Sequence, residues 1–272
     1  MNAAGNRRGF TLVEILVVVG IIGLLAAILT PVVMRSLTKA RNAAIKAEID
    51  MLHMAIMNYK SEYGSFPPCA DANPSAPLTS GTMTSSAQKH LARIFPRCST
   101  ISGTSGQFAG AVALTPANAI YSWLSGYTTD PTSPLQPSTD RKKLYDFDAA
   151  RVSGLQYAPP GKTLSPYIYI RSGTNPIDGY GLAAGATVAS AAYGAYRPQV
   201  RITTSGTECF NPDTFQILCA GRDEIWSEDS NINGVLDAGE DLNGNNQLDT
   251  SDDDLSNFWP GTRKEYLDSL KN

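Results

Sequence analysis

Arg7-Arg8-Gly9-Phe10-Thr11-Leu12-Val13-Glu14 leads into Ile15-Leu16-Val17-Val18-Val19-Gly20-Ile21-Ile22-Gly23-Leu24-Leu25-Ala26-Ala27-Ile28-Leu29-Thr30-Pro31-Val32-Val33-Met34, twenty residues without a charge. At 1.5 Å per residue those twenty cover about 30 Å, the depth of a bilayer's hydrocarbon layer, so the stretch reads as a transmembrane helix. A cleaved secretory signal has an apolar core of only about 7 to 15 residues followed by a small-residue cleavage site, and neither feature fits. Bases flank both ends, Arg7 and Arg8 before the span and Arg35, Lys39, Arg41 and Lys46 after it. The positive-inside bias therefore leaves the orientation open. Pro31 removes a helical hydrogen bond and is expected to kink or loosen the spanning half.

Past the span the helical pattern continues in a different form. Ile45, Ile49, Leu52, Ile56, Tyr59 and Tyr63 are spaced alternately by four and three, a single apolar stripe that suits an amphipathic helix packed on a domain. Gly64 and Pro67 end it. The chain then divides into 10–34 for the span, 35–64 for the soluble half of the helix, and 65–272 for a globular region.

With 272 residues and 42% hydrophobic content the chain can bury a core as one large or two small domains. The net charge of -3 hides an asymmetry: residues 221–272 hold 13 acids and 4 bases, so residues 1–220 carry +6. Apart from Arg141-Lys142-Lys143 the bases are scattered, and no basic stripe exists for phosphate neutralisation; no nucleic-acid partner is expected.

In the globular region, residues 66–84 read as a loop rich in Pro, Ser, Ala and Thr. A short helix is expected over 86–95. A second covers Ala117 to Ser125, with Thr115 as N-cap, Pro116 in the first turn and Gly126 past the end. Tyr167–Ile170, Gln199–Thr203 and Thr214–Leu218 read as strands of an antiparallel sheet. Residues 179–194 read as a long loop. His53 and His90 are isolated on helices, and nothing has the form of a nucleophile elbow, a P-loop or a dinucleotide turn. No catalytic residue is assigned, and the chain is read as something other than an enzyme.

The strongest chemistry lies near the C-terminus. Asp229, Asn231, Asn233, Val235, Asp237 and Glu240 occupy the ligand positions of a twelve-residue calcium loop, with Gly234 at its sharp turn. Alternating oxygen side chains, the Val235 carbonyl and a bidentate Glu240 make a hard-cation site. A second, imperfect copy follows in Asp241, Asn243, Asn245, Gln247 by its carbonyl, Asp249 and Asp252, with Asn246 at the turn. Calcium is the expected cofactor, structural in character, because the second loop begins where the exiting helix of an EF-hand would stand.

The segment from Arg7 to Glu14, with its basic leader ending in Gly, Phe10 at the mature start, Glu14 fifth and Pro31 twenty-second, resembles the class III prepilin signal of type IV pilins and type II secretion pseudopilins. Ala220-Gly221-Arg222-Asp223 and Ser251-Asp252-Asp253-Asp254-Leu255-Ser256-Asn257-Phe258-Trp259 resemble the two ends of the C-terminal calcium loop, within 223–254, of type II secretion major pseudopilins. The resemblance covers roughly 1–68 and 217–259, in a chain about twice the usual length of such a protein. It implies an α+β pilin fold, a long N-terminal helix packed on an antiparallel sheet.

Further implications are that prepilin peptidase removes residues 1–9 by cutting between Gly9 and Phe10 and N-methylates Phe10. Glu14, a costly carboxylate at the start of a bilayer helix, would meet the new amine of its own or a neighbouring Phe10. The chain would sit in the inner membrane with its N-terminus cytoplasmic and its domain periplasmic, and polymerise into a helical homo-oligomer. Its partners would be an inner-membrane assembly platform, minor pseudopilins and membrane lipid, and filament growth would drive protein export. In that oxidising location the four cysteines allow three connectivities, and loop lengths favour Cys69 with Cys98 and Cys209 with Cys219. The rival readings are a type IV pilin for adhesion, motility or DNA uptake, and a membrane-tethered calcium-dependent binding module or hydrolase.

Overall fold

The computed structural model of the chain describes residues 12–70, 86–97, 114–132, 134, 140–161, 165–173, 198–203, 206–221 and 254–269. These belong to two units, one ending at Ala43 and the other beginning at Ala44.

Helix α1 runs from Leu12 to Tyr63 and supplies all the described structure of the first unit. It continues through Pro31 without a break. Thr30 Oγ1 donates to the Ala26 carbonyl (2.7 Å) and Thr38 Oγ1 to the Met34 carbonyl (3.1 Å), so these hydroxyls are satisfied within the helix. In the second unit the expected stripe is the buried one: Ile45, Ile49, Leu52, Ile56 and Tyr59 are all buried, joined by Ala55, while Tyr63 is half-buried. The helix stops at Gly64, whose φ of +79° is left-handed and whose N–H donates to the Lys60 carbonyl at 2.8 Å. That is the glycine-ended helix terminus.

Two short helices follow, α2 (Ser86–Ile94) and α3 (Ala119–Leu124), the latter shorter than the expected Ala117–Ser125. Asn118, not Thr115, is its N-cap, because residues 115–118 form a turn of their own: the Asn118 side chain accepts from the Thr115 N–H, and the Thr115 carbonyl accepts from the Asn118 and Ala119 N–H groups. Gly126 (φ +86°) ends the segment, and a Cβ there would collide with the Lys142 carbonyl.

Among the described residues the strands do not form a single sheet. β1 (Tyr127–Thr128) pairs with β2 (Arg141–Lys142), and β3 (Val152–Ser153) with β4 (Gln156–Tyr157). Five further strands are β5 (Ile168–Arg171), β6 (Val200–Thr203), β7 (Gly206–Cys209), β8 (Phe215–Cys219) and β9 (Leu255–Ser256). They make a three-stranded sheet in the order β5-β8-β9 and a separate β6–β7 hairpin, all antiparallel. The register Ile168↔Leu218 through Arg171↔Phe215 puts residues of β5 and β8 in the same core as the α1 stripe, with Trp123 and Leu124 of α3. Each fully buried Leu, Ile or Phe in that core contributes about 1.5–3 kcal/mol.

Helix α4 (Arg263–Ser269) closes the described chain. The Glu265 carboxylate accepts from the Thr262 N–H (3.0 Å) while Thr262 Oγ1 accepts from the Glu265 N–H (3.3 Å), a reciprocal cap written in the sequence as Thr262-Arg263-Lys264-Glu265. Tyr266 then stacks on Trp259, their ring centres 5.9 Å apart.

Candidate functional site

The two halves of α1 carry different chemistry. From Ile15 to Met34 every face is apolar, and the large side chains from Leu12 to Leu37 are exposed, many by more than half. A helix apolar all round belongs inside a membrane or an apolar core. α1 is long and apolar enough to cross a bilayer. Glu14 lies in its first turn, exposed, where the helix dipole favours an acid. Gly9 and Phe10 lie outside the described residues.

The second half is fastened by polar groups set among the apolar stripe. Glu48 is 5% exposed. Its carboxylate accepts from Arg151 Nη1 at 2.9 Å and from Arg151 Nη2, from the Tyr157 hydroxyl at 2.7 Å and from the Tyr167 hydroxyl at 2.7 Å, with Tyr145 at 3.3 Å. Burial by itself raises this carboxyl, yet the Arg151 guanidinium and the two closer hydroxyls outweigh it and hold the group below its usual range. Arg151 also donates to the Ala158 carbonyl (3.1 Å) and lies over the Tyr157 ring. One acid on α1 thus gathers the residue before β3, the end of β4 and the residue before β5.

About three turns further on, the Tyr59 hydroxyl lies 2.8 Å from His90 Nε2 and 2.9 Å from the Tyr127 hydroxyl. A neutral ring protonated at Nδ1 fits this chain, with Tyr127 donating to Tyr59 and Tyr59 to His90. Burial pushes His90 down to about 4, helped by Arg171 and Arg93. The histidine is therefore a satisfied core group on α2, and His53 is likewise occupied, 3.0 Å from Asn257 Nδ2 and against the Phe215 ring. The basic run is engaged too: Arg141 donates to the Gly126 carbonyl (2.8 Å), Lys142 pairs with Glu62 (2.7 Å) and Lys143 with Asp146 (3.4 Å).

The third fastening is at the C-terminal strands. Cys219 of β8 pairs with Leu255 of β9, so the chain leaves at 220 and returns at 254 on adjacent strands. Lys46 Nζ donates to the Ser256 carbonyl (2.9 Å) and pairs with Asp50 (3.0 Å), and the Asn257 side chain accepts from the Ile217 N–H (2.8 Å). All the expected calcium ligands, Asp229, Asn231, Asn233, Val235, Asp237 and Glu240 with Asp241, Asn243, Asn245, Gln247, Asp249 and Asp252, lie between these strands and outside the described residues. Among the described residues no three His, Cys, Asp or Glu side chains gather.

The expected Cys209–Cys219 bridge is not formed; Cys209 is a buried thiol, pushed up to about 12 by its desolvation. The Gln216 side chain donates to the Phe210 and Gln199 carbonyls (2.9 and 2.8 Å), tying the segment next to Cys209 to β8. Cys69 is buried, and Cys98 lies outside the described residues.

Sequence reasoning missed the Glu48 network. The available signal was an acid on the apolar face, between Ile45 and Ile49; its partner Arg151 is 103 positions away and carries no mark of its own.

Comparison with known proteins agrees with the N-terminal geometry. Residues 5–30 match the family model described as the prokaryotic N-terminal methylation motif. The chain is 39% identical over 67 residues to the type II secretion system core protein G of Escherichia coli K12, covering 25% of this chain and 46% of that one. It is 41% identical over 62 residues to the protein of the same name from Pseudomonas aeruginosa, covering 23% and 44%, and 37% identical over 62 residues to that of Klebsiella michiganensis, again 23% and 44%. The chain thus spans less than half the length of these curated relatives. No solved structure matches it. What the comparisons establish is an N-terminal methylation motif at the head of the apolar helix, in a segment similar to type II secretion core protein G.

Proposed function

We propose that this chain is a structural subunit of a type II secretion pseudopilus, similar to the major pseudopilin, which polymerises from the inner membrane and so drives protein export. The observation that carries the reading is the division of α1. One half is apolar on all faces and exposed and carries most of a methylation motif, and the other is fastened into a folded domain. A subunit that must first sit in lipid and then pack with its own copies needs that division.

In this reading prepilin peptidase cuts between Gly9 and Phe10, the domain lies in the periplasm, and Glu14 meets the Phe10 amine. The work is mechanical, with no catalytic residue. The oxygen-rich donors between Cys219 and Leu255 suit calcium, which would fix a long acidic loop whose ends already lie side by side. Cys69 and Cys98 would be joined in the oxidising compartment.

The test is processing and imaging together. The mature protein should begin at N-methyl-Phe10, and antibody to residues 69–272 should decorate periplasmic filaments. Gly9→Leu should leave the precursor uncut and the filaments absent. Labelled filaments on the cell surface alone would move the assignment to a type IV pilin, and a processed chain that never polymerises would overturn it.

A further inference from the structure

Between Glu14 and Glu48 the chain has no acidic residue, yet Arg35, Lys39, Arg41 and Lys46 follow the apolar span within one helix. The four are not equivalent. Lys46 is half-buried and engaged by Asp50 and the Ser256 carbonyl. Arg35, Lys39 and Arg41 are exposed, and none enters an ion pair among the described residues.

Their placement matches a layer of defined chemistry. Met34 ends the uncharged stretch, so Arg35 is the first residue past the hydrocarbon. Arg35 and Lys39 are one helical turn apart, about 40° around the axis, and Arg41 lies about 120° from Arg35 and about 160° from Lys39, so the three ring the helix within about 9 Å of its length. The headgroup zone on each side of a bilayer is about 5–7 Å deep, within reach of these long side chains.

We infer that Arg35, Lys39 and Arg41 form a collar that binds the phosphates of anionic phospholipid headgroups at the far end of the span. Arg35 and Lys39 have no acid within two turns on either side, and the acid nearest Arg41 in the helix, Glu48, is taken by Arg151, Tyr157 and Tyr167, whereas an anionic leaflet supplies a dense array of phosphates. A base near such a surface strengthens attachment about fivefold. The collar holds α1 at a fixed depth, and its headgroup contacts must be broken when the helix leaves the membrane. This inference rests on the membrane-span reading and adds the lipid chemistry to it.

The test reconstitutes the full chain into phosphatidylcholine vesicles containing spin-labelled phosphatidylglycerol or spin-labelled phosphatidylcholine, and compares how strongly each is immobilised at the protein. Wild type should prefer phosphatidylglycerol several-fold at low salt, with the preference falling as salt rises. R35Q/K39Q/R41Q should lose most of it; R35K/K39R/R41K and K46Q should keep it. Equal preference in wild type and the triple Gln variant overturns the collar. Loss of the preference on adding millimolar inorganic phosphate at constant ionic strength also overturns it, since the site would then be one for free anions. Failure of the span reading is distinguishable, because the protein would then be released from the vesicles by alkaline carbonate.

Discussion

The two halves of α1 share one backbone geometry and differ in almost everything else. In residues 44–63 one apolar face is buried by α2, α3 and the strands, with Ile49, Leu52 and Tyr59 fully enclosed, while Met51, Met54 and Met57 on the other side are exposed. In residues 12–37 apolar side chains surround the helix and nothing in the described chain covers them. The first pattern is a problem of folding that the chain solves internally. The second requires a solvent other than water, which in the proposed function is first lipid and then other copies. The predictions below break or sharpen that contrast, in descending order of expected effect.

Glu14→Ala alters the exposed half without touching the domain. The protein should be cut and inserted normally, and filaments in envelope fractions should fall by roughly an order of magnitude, because in the proposed function the lost group is the partner of the terminal amine. An unchanged filament yield would remove Glu14 from assembly.

Glu48→Ala acts on the other half. It leaves Arg151 and the hydroxyls of Tyr157 and Tyr167 without their acceptor, so the soluble domain of residues 35–272 should lose about 3–5 kcal/mol in denaturant unfolding. A loss below about 1 kcal/mol would show that the network is solvated and not a fastening.

Leu52→Ala set against Leu24→Ala is the direct comparison between halves. The buried leucine should cost about 2–5 kcal/mol, and the exposed one should leave domain stability in the full chain unchanged. Equal losses would mean that residues 12–37 pack into the domain.

The smallest effect is on pH. Neutral His90 is required inside the core, and its folded value of about 4 is below the unfolded 6.5. The unfolded chain therefore binds the extra proton between those values. Stability from this group is complete above about 6.5 and is lost as pH falls towards 4, by up to about 3 kcal/mol. Glu48, also held low, shifts the same way below about 4.5. His90→Gln should flatten the first part of that slope in melts at pH 4 to 7.

How much of this was legible in the residues varies by region. The stripe from Ile45 to Tyr59 and its end at Gly64 were readable because a 3.6-residue period persists over four turns and glycine alone suits φ of +79°. β5, β6 and β8 announced themselves as runs of β-branched and aromatic residues. The two-residue strands β1 to β4 could not, since they are too short for any alternation and are placed by contacts such as Arg141 with the Gly126 carbonyl. α4 was legible and overlooked, in the capping pattern Thr262 to Glu265. Glu48 showed the position of a buried charge without its partner.

The central claim is that residues 12–37 leave lipid to form the core of a polymer of this chain. Electron microscopy of envelopes from cells making the full-length protein, with antibody to residues 69–272, tests it most directly. The account predicts labelled filaments that disappear with Gly9→Leu and thin out with Glu14→Ala. A processed, correctly methylated protein that remains dispersed in the inner membrane, with no filament in the wild type, would contradict it.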